Sequence, residues 1–209
     1  QTEFWKFPSI SEEHFLKQVD TGDLLLFRTN NHRIVGSWIT RAYTKSHFDH
    51  VGMVLRFGDS LNQLFIFEAV GETGVRIIGW NSLRRELFTN GFFEKICTRK
   101  LNYDMTNERL GDLDKFRQNS MGKKYKIPFK KFIFNHQSSA NLNNQKHTDV
   151  DDDRKFFCSE LIAKAFKVLG VLKEDCYEKS SAKYFPGSFA EKHHGGFIDD
   201  DLADEVALG

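Results

Sequence analysis

The chain has 209 residues, with 30 Lys plus Arg against 29 Asp plus Glu and a hydrophobic share of 40%. That ordinary globular balance excludes wholesale disorder and fibrous repeats. A net charge of +1 argues against a general nucleic-acid binder, which needs a basic excess to displace counterions.

In chain order, the spacing first predicts a short helix over Ser11 to Val19. Ser11 caps it, Glu12 and Glu13 suit its positive end, and Phe15, Leu16 and Val19 form its apolar stripe. Thr21-Gly22-Asp23 breaks the pattern. Leu24 to Phe27 then reads as a strand buried on both faces. Arg33 to Tyr43 has helical spacing. Val51 to Phe57 and Leu64 to Val70 read as an antiparallel hairpin around Gly58-Asp59-Ser60, and Gly71 to Gly74 turns the chain into Val75 to Ile78. A short helix at Ser82 to Leu87, a strand at Phe92 to Thr98 and a helix at Asn107 to Ser120, stopped by Gly122, follow.

From Asn135 to Asp153 the composition turns to Asn, Ser, Gln, His and Asp, which predicts a long polar insertion. Cys158 to Leu169 is the clearest helix, with Leu161, Ile162, Ala165, Phe166 and Leu169 on one face and Gly170 at its end. The acidic tail from Asp199 is expected to be mobile. The implied organisation is an N-terminal extension over 1–20, a domain over 21–190 with its insertion near 135–153, and a tail over 191–209.

Three cysteines at no metal-like spacing argue for a reducing compartment, hence a cytoplasmic expectation. No apolar run approaches the ~20 residues of a membrane helix. The chain opens at Gln1, which is compatible with a removed leader, a trimmed end or a piece of a longer protein. With 21 Phe, it has material for a large core and for an apolar groove.

Three residues stand where packing alone does not require them. Cys158 heads the strong helix, where unpaired N–H groups and the dipole favour a thiolate; the alternative is a small buried hydrophobe. His50 precedes Val51 at a strand mouth, a rigid mount for a general base; the alternative is a solvated loop histidine. His47 is a rival, and Asp49 an adjacent carboxylate. Glu68 interrupts the run Leu64 to Val70, where it needs a partner such as an imidazole unless strand alternation turns it to water. Cys97 reads as core, and Glu174 and Asp175 disfavour a thiolate at Cys176. His193-His194 reads as a solvated turn. Lys123-Lys124-Tyr125-Lys126 with Lys130-Lys131 is either a solvated face or a contact for anionic lipid or acidic protein.

Taken in order, Thr21-Gly22-Asp23-Leu24-Leu25-Leu26-Phe27-Arg28, His50-Val51-Gly52-Met53-Val54, Phe67-Glu68-Ala69 and Phe156-Phe157-Cys158-Ser159-Glu160-Leu161 resemble the circularly permuted NlpC-like papain fold. Within it the chain is most similar to the YiiX-like hydrolases, related to the lecithin retinol acyltransferase group. Tyr184 to Phe189 resembles the Pro-containing stretch that follows the cysteine helix there. The insertion before Cys158 departs from the pattern. The resemblance implies an α+β, circularly permuted papain-like fold, with a small curled antiparallel sheet packed on the cysteine-bearing helix. It implies Cys158 as nucleophile, His50 as base and Glu68 as the residue orienting the imidazole, with the Cys158 N–H as oxyanion donor.

The implied chemistry is acyl transfer on an acyl, peptide-like or lipid substrate, with no metal or organic cofactor. The alternative is an inactive papain-like module serving as a structural or binding component among protein assembly partners. A lipid-surface protein acting through Lys123 to Lys131 is a third reading.

Overall fold

The computed structural model describes residues 9–30, 46–58, 63–70, 73–122, 149–172, 180–190 and 206–208. Among these the elements are β1 (Ser9–Ile10), α1 (Glu12–Gln18), β2 (Leu24–Thr29), β3 (His50–Arg56), β4 (Leu64–Val70), β5 (Gly74–Gly79), α2 (Trp80–Asn90), β6 (Phe93–Arg99), α3 (Asn107–Ser120), α4 (Asp149–Leu169) and β7 (Val206–Leu208). Two 3₁₀ turns, Ser181–Lys183 and Pro186–Phe189, follow α4. The strands form one sheet in the order β1-β7-β6-β2-β3-β4-β5, antiparallel throughout except for the β1–β7 pair. This is an α+β architecture, as the sequence implies.

Strand alternation divides the core in two. Leu24, Leu26, Val51, Met53, Phe67 and Ala69 pack with Leu161, Ile162, Ala165, Phe166 and Leu169 of α4. Leu25, Phe27, Val54, Leu64 and Ile66 pack with Phe15 of α1 and with Trp80 and Leu83 of α2. The all-apolar run Leu24 to Phe27 is thereby explained: both of its faces are covered. Ser11 caps α1 by accepting the His14 N–H at 3.2 Å. Asp23 anchors the start of β2, its carboxylate accepting the backbone N–H groups of Asp20 (2.9 Å) and Leu101 (2.8 Å).

The structure corrects two expectations. Val206–Leu208, inside the segment read as a mobile acidic tail, is a strand paired with both β1 and β6. With β1, it ties the two terminal segments into the sheet. The second correction concerns α4, which begins at Asp149 rather than Cys158. The last five residues assigned to the polar insertion are therefore helical. The helix expected over Arg33 to Tyr43, most of the insertion, the Lys123 to Lys131 stretch, Cys176 and His193-His194 lie outside the described residues.

Candidate active site

The hairpin β3–β4 and its neighbour β5 carry the polar residues. Cross-strand register sets Phe27 opposite His50 and Glu68 opposite Arg76. His50 is the first residue of β3, at the end of the sheet, with its side chain 12% exposed. Its ring lies 5.3 Å from that of Phe27 and 6.4 Å from that of Phe93, so aromatic rings flank the imidazole. Glu68 is 2% exposed, and its Oε2 is 2.7 Å from His50 Nε2. An ionised carboxylate only accepts, so Nε2 carries the hydrogen and donates it. Oε1 accepts twice from one guanidinium, from Arg76 Nε at 2.8 Å and Nη2 at 2.7 Å. Arg76 Nη2 also reaches Glu86 Oε2 at 3.2 Å.

Cys158 comes from α4, fully buried at 0% exposure, and its side chain shares a hydrogen bond with His50. With Nε2 committed to Glu68, Nδ1 is the nitrogen left for the sulfur. Cys158, His50 and Glu68 thus form a continuous chain, and Arg76 and Glu86 extend it. The structure brings together the three residues singled out from sequence. Burial by itself would depress the His50 pKa. The charge interaction and hydrogen bond with Cys158, followed by the bond and charge of Glu68, instead push it up to about 10. Burial likewise works to raise the Glu68 pKa, but the hydrogen bond and charge of His50, with those of Arg76, hold it below the ordinary carboxylate value.

Two close approaches hold this arrangement. Gly52 follows His50 by two residues on β3, and a Cβ there would sit 2.7 Å from Ile66 Cγ2 and 3.6 Å from Glu68 Cβ. The glycine of His50-Val51-Gly52 is thus required by space. Gly187 packs so closely on Ser46, in the loop leading to His50, that a Cβ would overlap the serine side chain. The same segment accepts the Ser159 hydroxyl at the Tyr184 carbonyl, at 2.6 Å. Tyr184 to Phe189 therefore ties the residue after Cys158 to the loop before His50.

Other expectations come out differently. Cys158 lies inside α4 rather than at its start. The helix end expected at Cys158 therefore lies nine residues earlier, at Asp149. His50 is hydrogen-bonded to the Cys158 side chain. Asp49 turns away, its carboxylate accepting the Thr29 backbone N–H at 3.0 Å and binding the Thr29 hydroxyl. His47 sits half-buried in the loop before β3, and Cys97 is core in β6 as expected. Arg76 went unrecognised in the sequence. Its signal was a lone cation in the run Val75 to Ile78, opposite Glu68 once the hairpin register is known.

Residues 18–185 match the permuted papain-like amidase family, YaeF/YiiX or C92. The chain belongs to this family. Membership in it supports a cysteine-type hydrolase or acyl-transfer role, and it agrees with the fold seen here. Among solved structures, one described as the metalloprotein YiiX from Escherichia coli O157:H7 is 21% identical, covering 91% of this chain and 89% of its own, with a TM-score of 0.47. No curated protein matches the chain. Among the described residues, no group of three or more His, Cys, Asp or Glu side chains is arranged to hold a metal ion, and no helix is long and apolar enough to cross a membrane.

Proposed function

We propose that this member of the permuted papain-like amidase family is a cysteine-dependent acyl-transfer enzyme acting on an amide, ester or thioester. Cys158 is the nucleophile, His50 the acid–base and Glu68 the residue that orients the imidazole. The observation carrying the reading is the chain of contacts from the Cys158 sulfur through His50 to the buried Glu68 carboxylate. This is the nucleophile–base–orienter arrangement that activates a weak nucleophile.

The thiolate attacks the substrate carbonyl and forms a C–S bond. The tetrahedral intermediate collapses as the bond to the leaving amine, alcohol or thiol breaks, and His50 delivers its Nδ1 proton to that group. Water, or an acceptor nucleophile, then attacks the thioester while His50 takes its proton. The C–S bond breaks, the acyl product leaves, and the thiolate–imidazolium pair is restored. Glu68 keeps the proton on Nε2 throughout, so that Nδ1 faces the sulfur.

One observation favours a second reading, a papain-like module that keeps the fold without turnover: the Cys158 side chain is completely buried. A spectroscopic assay with a nitrophenyl ester and an acyl-thioester, run beside iodoacetamide labelling near neutral pH, separates the two. An enzyme turns over at least one ester, loses that activity in Cys158→Ala, and is alkylated at Cys158 far faster than at Cys97. Equal, slow labelling of both cysteines with no Cys158-dependent turnover establishes the inert module.

A further inference from the structure

Glu68 is an unusual group to find ionised. It is nearly enclosed, and burial works to raise its pKa, as it does for any carboxylate moved out of water. His50 supplies a single hydrogen bond, to Oε2. The other oxygen is held by a two-pronged guanidinium contact from Arg76, which is planar, permanently charged and fixed in direction. Arg76 reaches Glu68 from β5 by direct cross-strand pairing, and Glu86 of α2 shares the guanidinium Nη2 with it. Among the described residues, the charged groups that act on the Glu68 carboxylate are His50 on β3 and Arg76 on β5.

We infer that Arg76 is a positioning residue for the reaction, acting through Glu68. Its fork occupies Oε1 and so aims Oε2 at His50, and its charge keeps the carboxylate ionised at mildly acid pH. The inference rests on the catalytic reading above and extends it to a fourth residue. Arg76 touches neither the nucleophile nor the reacting atoms in this account.

Its consequence is an acid limb in the pH dependence that belongs to Glu68. Without the guanidinium, burial is opposed by His50 alone, and Glu68 takes up a proton at higher pH. A protonated Glu68 no longer holds the imidazolium, and the pair with Cys158 is lost. The test is the pH profile of kcat/KM for nitrophenyl ester turnover, or of Cys158 alkylation by iodoacetamide, in wild type, Arg76→Gln, Arg76→Lys and Cys158→Ala. The acid limb is expected to move up by about one pH unit in Arg76→Gln, within the range for loss of an adjacent opposite charge. Arg76→Lys, which keeps the charge and loses the fork, recovers most of the limb position but not the full kcat.

A merely structural role lowers the melting temperature without displacing the limb. If Arg76→Gln does not fold, Arg76→Lys alone decides: a limb and a kcat both identical to wild type overturn the inference. An Arg76→Gln profile superimposable on wild type also overturns it, provided Cys158→Ala is inactive. If Cys158→Ala retains wild-type turnover, it is the catalytic reading that falls.

Discussion

Replacing Glu68 with Gln changes one atom and, on this account, the tautomer of the base. Glu68 now accepts on both oxygens: Oε2 from His50 Nε2 at 2.7 Å and Oε1 from two Arg76 nitrogens. A glutamine has one oxygen and one NH₂ group. The two guanidinium donors claim the oxygen, which leaves the NH₂ facing Nε2. The imidazole must then accept at Nε2 and carry its hydrogen on Nδ1, the position that has to take the thiol proton. A charge-assisted hydrogen bond of about 2 kcal/mol is lost, and at 1.36 kcal/mol per unit the His50 pKa should fall by roughly 1–2 units. Activity that depends on imidazolium should disappear in wild type as pH rises through about 10. In Glu68→Gln that limb should lie 1–2 units lower, and kcat/KM at neutral pH should drop on the order of 10²- to 10⁴-fold. The assay is ester turnover from pH 5 to 11, with circular dichroism at each pH to verify folding. An unchanged alkaline limb together with a loss of less than about threefold, well short of a general base's contribution, would refute the reasoning.

Three further outcomes follow from the packing and the titrations. Gly52→Ala forces a Cβ onto Ile66 and toward Glu68, and should cost about 1–3 kcal/mol in urea unfolding along with part of the activity. The folded-state pKa of His50 lies above its ordinary value of 6.5, so its contribution to stability is fully present below 6.5 and is lost as pH rises through about 10. Urea midpoints should therefore decline over that window in wild type and decline less in His50→Ala. Burial lifts the pKa of Asp23 from 3.8 to about 6 against its two backbone hydrogen bonds. The stability linked to protonated Asp23 is thus complete below 3.8 and lost as pH rises through about 6. That slope should be missing in Asp23→Asn, and an identical slope would show that the group does not titrate there.

The sheet was largely legible because its strands obey simple patterns. Leu24 to Phe27 is apolar at every position and is covered on both faces, and β3 pairs with β4 in antiparallel register. Glu68 stood out because a carboxylate inside an apolar run needs a partner, and His50 because it begins a strand. Arg76 escaped notice because its importance lies in register: it matters only once Val70 is set opposite Gly74 and Glu68 opposite Arg76. The β7 strand escaped for a different reason. Three residues carry no periodicity, and both of its partners are remote in sequence. The start of α4 was misplaced because Asp has low helix propensity in a helix interior yet is favourable at a helix N-terminus.

The most direct test of the central claim is to catch the acyl group in place. Wild-type protein is mixed with a nitrophenyl ester, quenched in acid within the first turnover, digested and read by peptide mass spectrometry. The account predicts one acyl mass on the peptide carrying Cys158, released by hydroxylamine and absent in Cys158→Ser. An adduct on Cys97 or on a lysine, or turnover in Cys158→Ala equal to wild type with no adduct at position 158, would contradict it.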